Sequence, residues 1–263
     1  MEKTMKLLLS LFLLLPLAAQ AAVIGKTVEY EADGVKMKGY MAYDDAIKGK
    51  RPGVLVVHEW WGLNDYARKR ANMLAEAGYV ALAVDMYGDG KTVDNPKDAG
   101  ALAGSVNKNP PVARARFAAA QKFLDRQDLA MKGQIAALGY CFGGGIVLNM
   151  ARAGEPLKGV VSYHGILATD VSVKPGSIQA KVRVFTGEAD PMVPPEQVDA
   201  FKTEMSNAKA DWQLVSYPGV KHTFTNPEAD TYAAKFGLPL KYDAHADQSS
   251  WAHTLDFLKS VFK

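Results

Sequence analysis

Short apolar runs, many rich in Val, alternate with longer stretches of helical periodicity along most of the chain. Lys26–Glu31 and Val35–Tyr43 are predicted as two strands joined at Asp33-Gly34, a dipeptide that favours a tight hairpin. Gly53–His58 is a continuous apolar run, the pattern of a strand buried on both faces. Asn64 is predicted to cap a helix over 65–77 that Gly78 closes. Tyr79–Asp85 is the next strand, residues 94–107 hold one helix, and Pro110-Pro111 opens another that runs to about Arg126. Strands follow at Ile135–Leu138, Val160–Tyr163, Val182–Thr186 and Trp212–Tyr217, with helices at Gly143–Ala151 and Pro195–Ala208. Trp251, Leu255, Leu258 and Phe262 stand at helical spacing in a terminal helix over 249–262. Repeated β-then-α units imply an α/β fold, a mainly parallel sheet with helices on both faces. In such a sheet, sites form at the carboxyl ends of the strands. No linker or repeat divides residues 22–263, so one domain is expected there.

Residues 1–21 read differently. A positively charged start is followed by a nearly pure apolar run from Leu7 to Leu17 and the small-residue site Ala19-Gln20-Ala21. That is the pattern of a secretory signal peptide, and the run is short of the roughly 20 residues a membrane span needs. Export, to the periplasm in a Gram-negative cell, is expected, with no stable membrane association after cleavage. The whole chain of 263 residues carries a formal charge of +3. Without Lys3, Lys6 and Glu2 it has 29 basic and 27 acidic residues, or +2, which gives no support to nucleic-acid binding. A single cysteine excludes an internal disulfide and a thiolate metal cluster. No metal and no organic cofactor is expected, and oligomeric state is left open.

That cysteine sits in Gly139-Tyr140-Cys141-Phe142-Gly143, between a predicted strand and a predicted helix. The pattern is a nucleophile elbow with Cys in place of Ser. The turn strains the nucleophile's backbone, so its neighbours two residues away must be tiny. The helix N-terminus favours a thiolate, and the Phe142 N–H can receive an oxyanion. A structural cysteine in a Gly-rich turn is the competing reading. Partners are expected after the nucleophile, acid before histidine. Asp190 in Gly187-Glu188-Ala189-Asp190 and His222 in Gly219-Val220-Lys221-His222 each follow a strand in that order. His222 would take the thiol proton and Asp190 would orient the imidazole. Elsewhere, His58 and His164 end strands, His253 falls in the terminal helix and His245 in a polar loop. Of these, His58 is read as a wall or supporting group.

These segments resemble the dienelactone hydrolase family, together with His58-Glu59-Trp60-Trp61-Gly62, Asp85-Met86-Tyr87-Gly88, Thr223-Phe224 and Ala246-Asp247-Gln248-Ser249-Ser250-Trp251. The resemblance spans nearly the whole mature chain. It implies an α/β-hydrolase fold and a Cys141–Asp190–His222 triad acting on esters or lactones through a thioester. It further implies that Glu59 interacts with the nucleophile thiol when substrate binds, and that the Trp60 N–H completes the oxyanion hole. Family members that act on dienelactone hold its carboxylate with two arginines, and the matching positions here are Asp89 and Asn226. Dienelactone itself is therefore not the expected substrate. Trp61, Tyr87, Tyr163 and Phe224 are expected to line an apolar substrate pocket, with core packing the plainer role for such aromatics. Two other functions compete: a non-catalytic ligand-binding protein on the same fold, and a redox thiol, which the lack of a resolving cysteine disfavours.

Overall fold

A computed structural model describes residues 23–171 and 173–263; the predicted signal peptide lies outside them. In chain order the elements are β1 (Val23–Ala32), β2 (Val35–Asp44), β3 (Arg51–Val57), α1 (Asp65–Glu76), β4 (Val80–Val84), α2 (Pro96–Asn107), α3 (Pro110–Asp125) and β5 (Ala130–Tyr140). They continue with α4 (Phe142–Arg152), β6 (Gly159–Tyr163), β7 (Lys181–Gly187), α5 (Pro195–Asn207), β8 (Trp212–Tyr217), α6 (Ala229–Phe236) and α7 (Ala244–Val261).

The strands form one eight-stranded sheet in the order β1-β2-β4-β3-β5-β6-β7-β8. β1 and β2 pair antiparallel through the expected hairpin, where Asp33 and Gly34 both take positive φ, 49° and 75°. β2 also runs antiparallel to β4, and every pairing from β4 to β8 is parallel. Side chains alternate across the sheet as the strand period requires. Leu55 and Val57 of β3 join a core with Phe117, Ile146 and Phe201 from α3, α4 and α5. Val54 and Val56 join a second core with Leu74 and Phe257 from α1 and α7. Both faces are therefore covered, and the fully buried β4 and β6 carry no polar alternation apart from Ser162.

Local chemistry sets the helix starts. Asn64, Asn95, Asn109 and Asp243 each accept a backbone N–H from the first turn of α1, α2, α3 and α7. Three features differ from the sequence reading. β5 begins at Ala130, five residues early, where the β3 register shifts between Arg51 and Gly53. The helix α6 was not anticipated. Finally, α7 begins at Ala244, so His245 lies in a helix and not in a polar loop. Among the described residues no helix is long and apolar enough to cross a membrane.

Candidate active site

Cys141 joins β5 to α4 with φ 53° and ψ −115°, a conformation that costs a non-glycine residue about 1–3 kcal/mol. The turn is tight enough to forbid side chains beside it. A Cβ on Gly139 would lie 2.0 Å from the Gly143 carbonyl oxygen, and one on Gly143 would lie 2.3 Å from the Val57 carbonyl oxygen. Hydrogen bonds hold the bend: Gly143 N–H donates to the His58 carbonyl (3.1 Å) and Gly144 N–H to the Cys141 carbonyl (2.9 Å). The Cys141 side chain makes no capping bond to α4, and it stands at the positive end of that helix.

The other two residues arrive from separate strand ends. His222 Nδ1 lies 2.7 Å from Asp190 Oδ2, with both side chains buried. Asp190 Oδ1 accepts the Met192 N–H at 2.8 Å, which fixes the carboxylate plane. The other imidazole nitrogen, His222 Nε2, is buried without a hydrogen-bond partner. Burial alone would push this imidazole down. The Cys141 sulfur and the Asp190 carboxylate outweigh burial and hold His222 up at about 10.

Two further strand-end histidines behave oppositely. His58 Nδ1 meets the Glu59 carbonyl at 2.5 Å and Nε2 accepts the Met86 N–H at 3.3 Å. Burial pushes it down to about 4. His164 is also pushed well below the ordinary range, first by burial and then by the charge of His222. Of the three, His222 alone favours the charged form.

Glu59 is buried, contrary to the usual place of a glutamate. Its Oε2 accepts from Asn226 Nδ2 at 2.7 Å, while Oε1 has no partner. Burial pushes the carboxyl up to about 7, against the opposing pull of Asn226, His222 and Arg70. Asn226 Oδ1 accepts the Glu228 N–H at 3.0 Å, which directs the amide nitrogen at Glu59.

Among the described residues neither the Phe142 nor the Trp60 N–H has a hydrogen-bond acceptor. The peptide carrying the Trp60 N–H is pinned through its own carbonyl, that of Glu59, by His58 Nδ1 and by the Gly62 N–H (3.2 Å). In a trans peptide the N–H then points the opposite way. Tyr87 packs beside this corner: its hydroxyl donates to the Trp60 carbonyl at 2.8 Å and its ring lies 5.6 Å from that of Phe142.

The remaining aromatics divide. Trp61 lies buried beneath α6, stacked on Tyr232 at 4.7 Å. Two residues expected in the pocket pack elsewhere. Tyr163 stacks on Tyr140 at 4.6 Å, with its hydroxyl bonded to Thr254 of α7, because alternate residues of β6 face the α7 side. Phe224 is fully buried edge-on against His164 and beside Tyr217. Both belong to the second core. Asp89 is exposed and 3.9 Å from Lys91. Sequence reasoning missed α6, with Tyr232 and Phe236 over Trp61, and the burial of Arg70, although helical spacing from Tyr66 to Arg70 marks both as neighbours.

The model of the dienelactone hydrolase family matches residues 37–262. This chain belongs to the dienelactone hydrolase family. It is 30% identical over 243 residues to "Protein usf" of Aquifex pyrophilus, covering 90% of this chain and 98% of that protein. Among solved structures it is similar to a dienelactone hydrolase-like promiscuous phosphotriesterase from metagenomic libraries, with a TM-score of 0.86 and 34% identity over 92% of this chain and 100% of the other. The dienelactone hydrolase of Anabaena variabilis shares the fold at a TM-score of 0.60 and 20% identity, covering 81% of this chain and 94% of that one. The sheet and its helices are those of the α/β-hydrolase fold of this family, and the chain is a dienelactone hydrolase-like hydrolase.

Proposed function

We propose that this chain is a cysteine-nucleophile hydrolase of neutral carboxylic esters or lactones. The observation that carries the reading is the buried pairing of His222 with Asp190, its Nε2 left unpartnered and its ring centre 5.3 Å from that of His164, which in turn contacts the Cys141 amide. His222 takes the thiol proton, and the thiolate adds to the substrate carbonyl. The resulting oxyanion is received by the N–H groups of Phe142 and Trp60. Collapse breaks the carbon–oxygen ester bond, and His222 gives its proton to the departing alcohol. Water then attacks the thioester as His222 removes its proton, the acid is released, and the thiol is restored. Glu59, poised at about 7, is the second group able to exchange a proton at neutral pH.

A neutral substrate is favoured by the clamp positions. Asn226 is committed to Glu59 and Asp89 bears a negative charge, so neither can hold a carboxylate. The similarity to a dienelactone hydrolase-like promiscuous phosphotriesterase makes a neutral phosphotriester a second electrophile to try.

Purified protein is expected to hydrolyse short-chain nitrophenyl esters, to accumulate an acyl adduct on Cys141 detectable by mass, and to lose both with Cys141→Ala. Turnover that survives Cys141→Ala, or no turnover by wild type over a broad ester and lactone panel, overturns the proposal. Export rests on the pattern of residues 1–21 alone. A mature protein beginning near Ala22 in a secreting host supports it, and an uncleaved cytoplasmic protein refutes it.

A further inference from the structure

Two imidazoles meet beside the nucleophile, His164 and His222, with ring centres 5.3 Å apart. The reaction above uses only His222. His164 is fully buried and takes φ 39°, left-handed for a non-glycine residue. Its backbone N–H donates to the Phe185 carbonyl at 2.8 Å, so the residue is pinned at the end of β6. The ring then reaches back to the elbow. His164 Nδ1 lies 3.1 Å from the backbone N of Cys141, whose N–H it shares with the Tyr163 carbonyl at 3.0 Å.

An amide N–H can only donate, so Nδ1 must offer a lone pair and the ring proton must sit on Nε2. Nε2 lies 2.8 Å from Thr225 Oγ1, and Thr225 Oγ1 lies 2.6 Å from the Tyr66 hydroxyl. The Tyr66 oxygen in turn accepts from Arg70 Nε at 3.1 Å. Arg70 is buried and held by Asp247 (2.5 Å) and the Thr225 carbonyl (2.7 Å). The far end of this chain is a permanent cation, so no second proton is drawn toward His164 from that side. Adding one to Nδ1 would set N–H against N–H at Cys141 and place a second positive charge beside His222.

We propose that His164 is a positioning residue for the nucleophile: as the neutral Nε2–H tautomer it holds the Cys141 amide, and with it the left-handed backbone that aims the sulfur. The same tautomer leaves His222 as the one imidazole free to take the thiol proton. This inference rests on the thiol-hydrolase reading above.

The test compares His164→Leu and His164→Asn with wild type and Cys141→Ala, using a short-chain nitrophenyl ester and iodoacetamide alkylation of Cys141. Asn places Oδ1 near the position of Nδ1 and restores the acceptor, whereas Leu removes it. The Leu variant is expected to lose roughly five- to tenfold in kcat with KM little changed, the scale of one hydrogen bond. Its alkylation at neutral pH slows in parallel, and the Asn variant recovers most of both. A folded Leu variant with wild-type kcat and alkylation rate, or an Asn variant as impaired as Leu, overturns the role. If wild type shows no turnover or Cys141→Ala retains it, the hydrolase reading fails instead, and the alkylation comparison still decides the positioning of the sulfur. Should His164→Leu not fold, nitrogen NMR of wild type decides. An unprotonated Nδ1 and a protonated Nε2 from about pH 5 to 9 are expected. The opposite tautomer, or a charged ring in that window, refutes the inference.

Discussion

Glu59→Gln offers a test in which stability and pH are linked through one buried carboxyl. The ordinary glutamate value of 4.5 is raised to about 7 in the folded protein, chiefly by burial. At roughly 1.4 kcal/mol per pKa unit, that difference corresponds to about 3 kcal/mol. Because the native state holds the proton more tightly than the unfolded chain, unfolding releases a proton between these two values. Stability from this group is therefore greatest below about pH 4.5, falls as pH rises, and is fully lost above about pH 7. Gln is neutral throughout and can still accept from Asn226 through its carbonyl oxygen. The stability of Glu59→Gln relative to wild type should consequently improve by about 3 kcal/mol between about pH 4.5 and pH 8. Urea unfolding of both proteins across that range measures it, and contributions from His222 cancel to first order because both proteins contain it. A difference that does not vary with pH would falsify the assignment of a raised carboxyl. The same substitution is expected to lower kcat, which separates a proton-exchanging role from a purely structural cost.

Four other outcomes follow from the geometry. Gly139→Ala should lose about 3 kcal/mol or more by thermal unfolding, since its Cβ would meet the Gly143 carbonyl oxygen at 2.0 Å; a variant of normal stability contradicts the elbow geometry. Wild-type alkylation by iodoacetamide at neutral pH should be faster than that of His222→Ala, because the variant lacks the imidazolium that persists to about 10. Equal rates would count against the ion pair. Asp247→Ala should cost about 3 kcal/mol in urea unfolding by leaving the buried Arg70 guanidinium without its carboxylate, and a loss under about 0.5 kcal/mol would refute that. Asn226→Leu removes the hydrogen bond that lowers Glu59, so the pH at which stability falls should move above about 7; an unchanged midpoint argues against that bond.

Much of this architecture was legible because each signal had a local cause. Asp33-Gly34 specifies a hairpin through positive φ, and the Val-rich runs specify strands buried on both faces. The order of Cys141, Asp190 and His222 placed all three at strand ends before any coordinates were needed. Glu59 was harder, because a lone glutamate is by default exposed and its hydrogen-bond partner Asn226 lies 167 residues away in sequence. The α6 helix was missed for a similar reason. Its one buried residue is Ala229, and Tyr232 and Phe236 find their partner in Trp61, so no amphipathic stripe announces it. Tyr163 and Phe224 show the converse limit: an aromatic near a strand end says nothing about which face of the sheet it serves. His164 was visible as a strand-end histidine, but its link to the Cys141 amide depends on tertiary geometry alone.

The sulfur lies just after the fifth strand in sequence, the carboxylate after the seventh and the imidazole after the eighth. On the proposed mechanism, a chain that has not yet completed its last crossover holds a thiol whose proton acceptor is still missing, although the residues carrying the Phe142 and Trp60 N–H groups are already made. Reactivity would then arrive with the last strand, and partly made molecules would be chemically quiet toward esters.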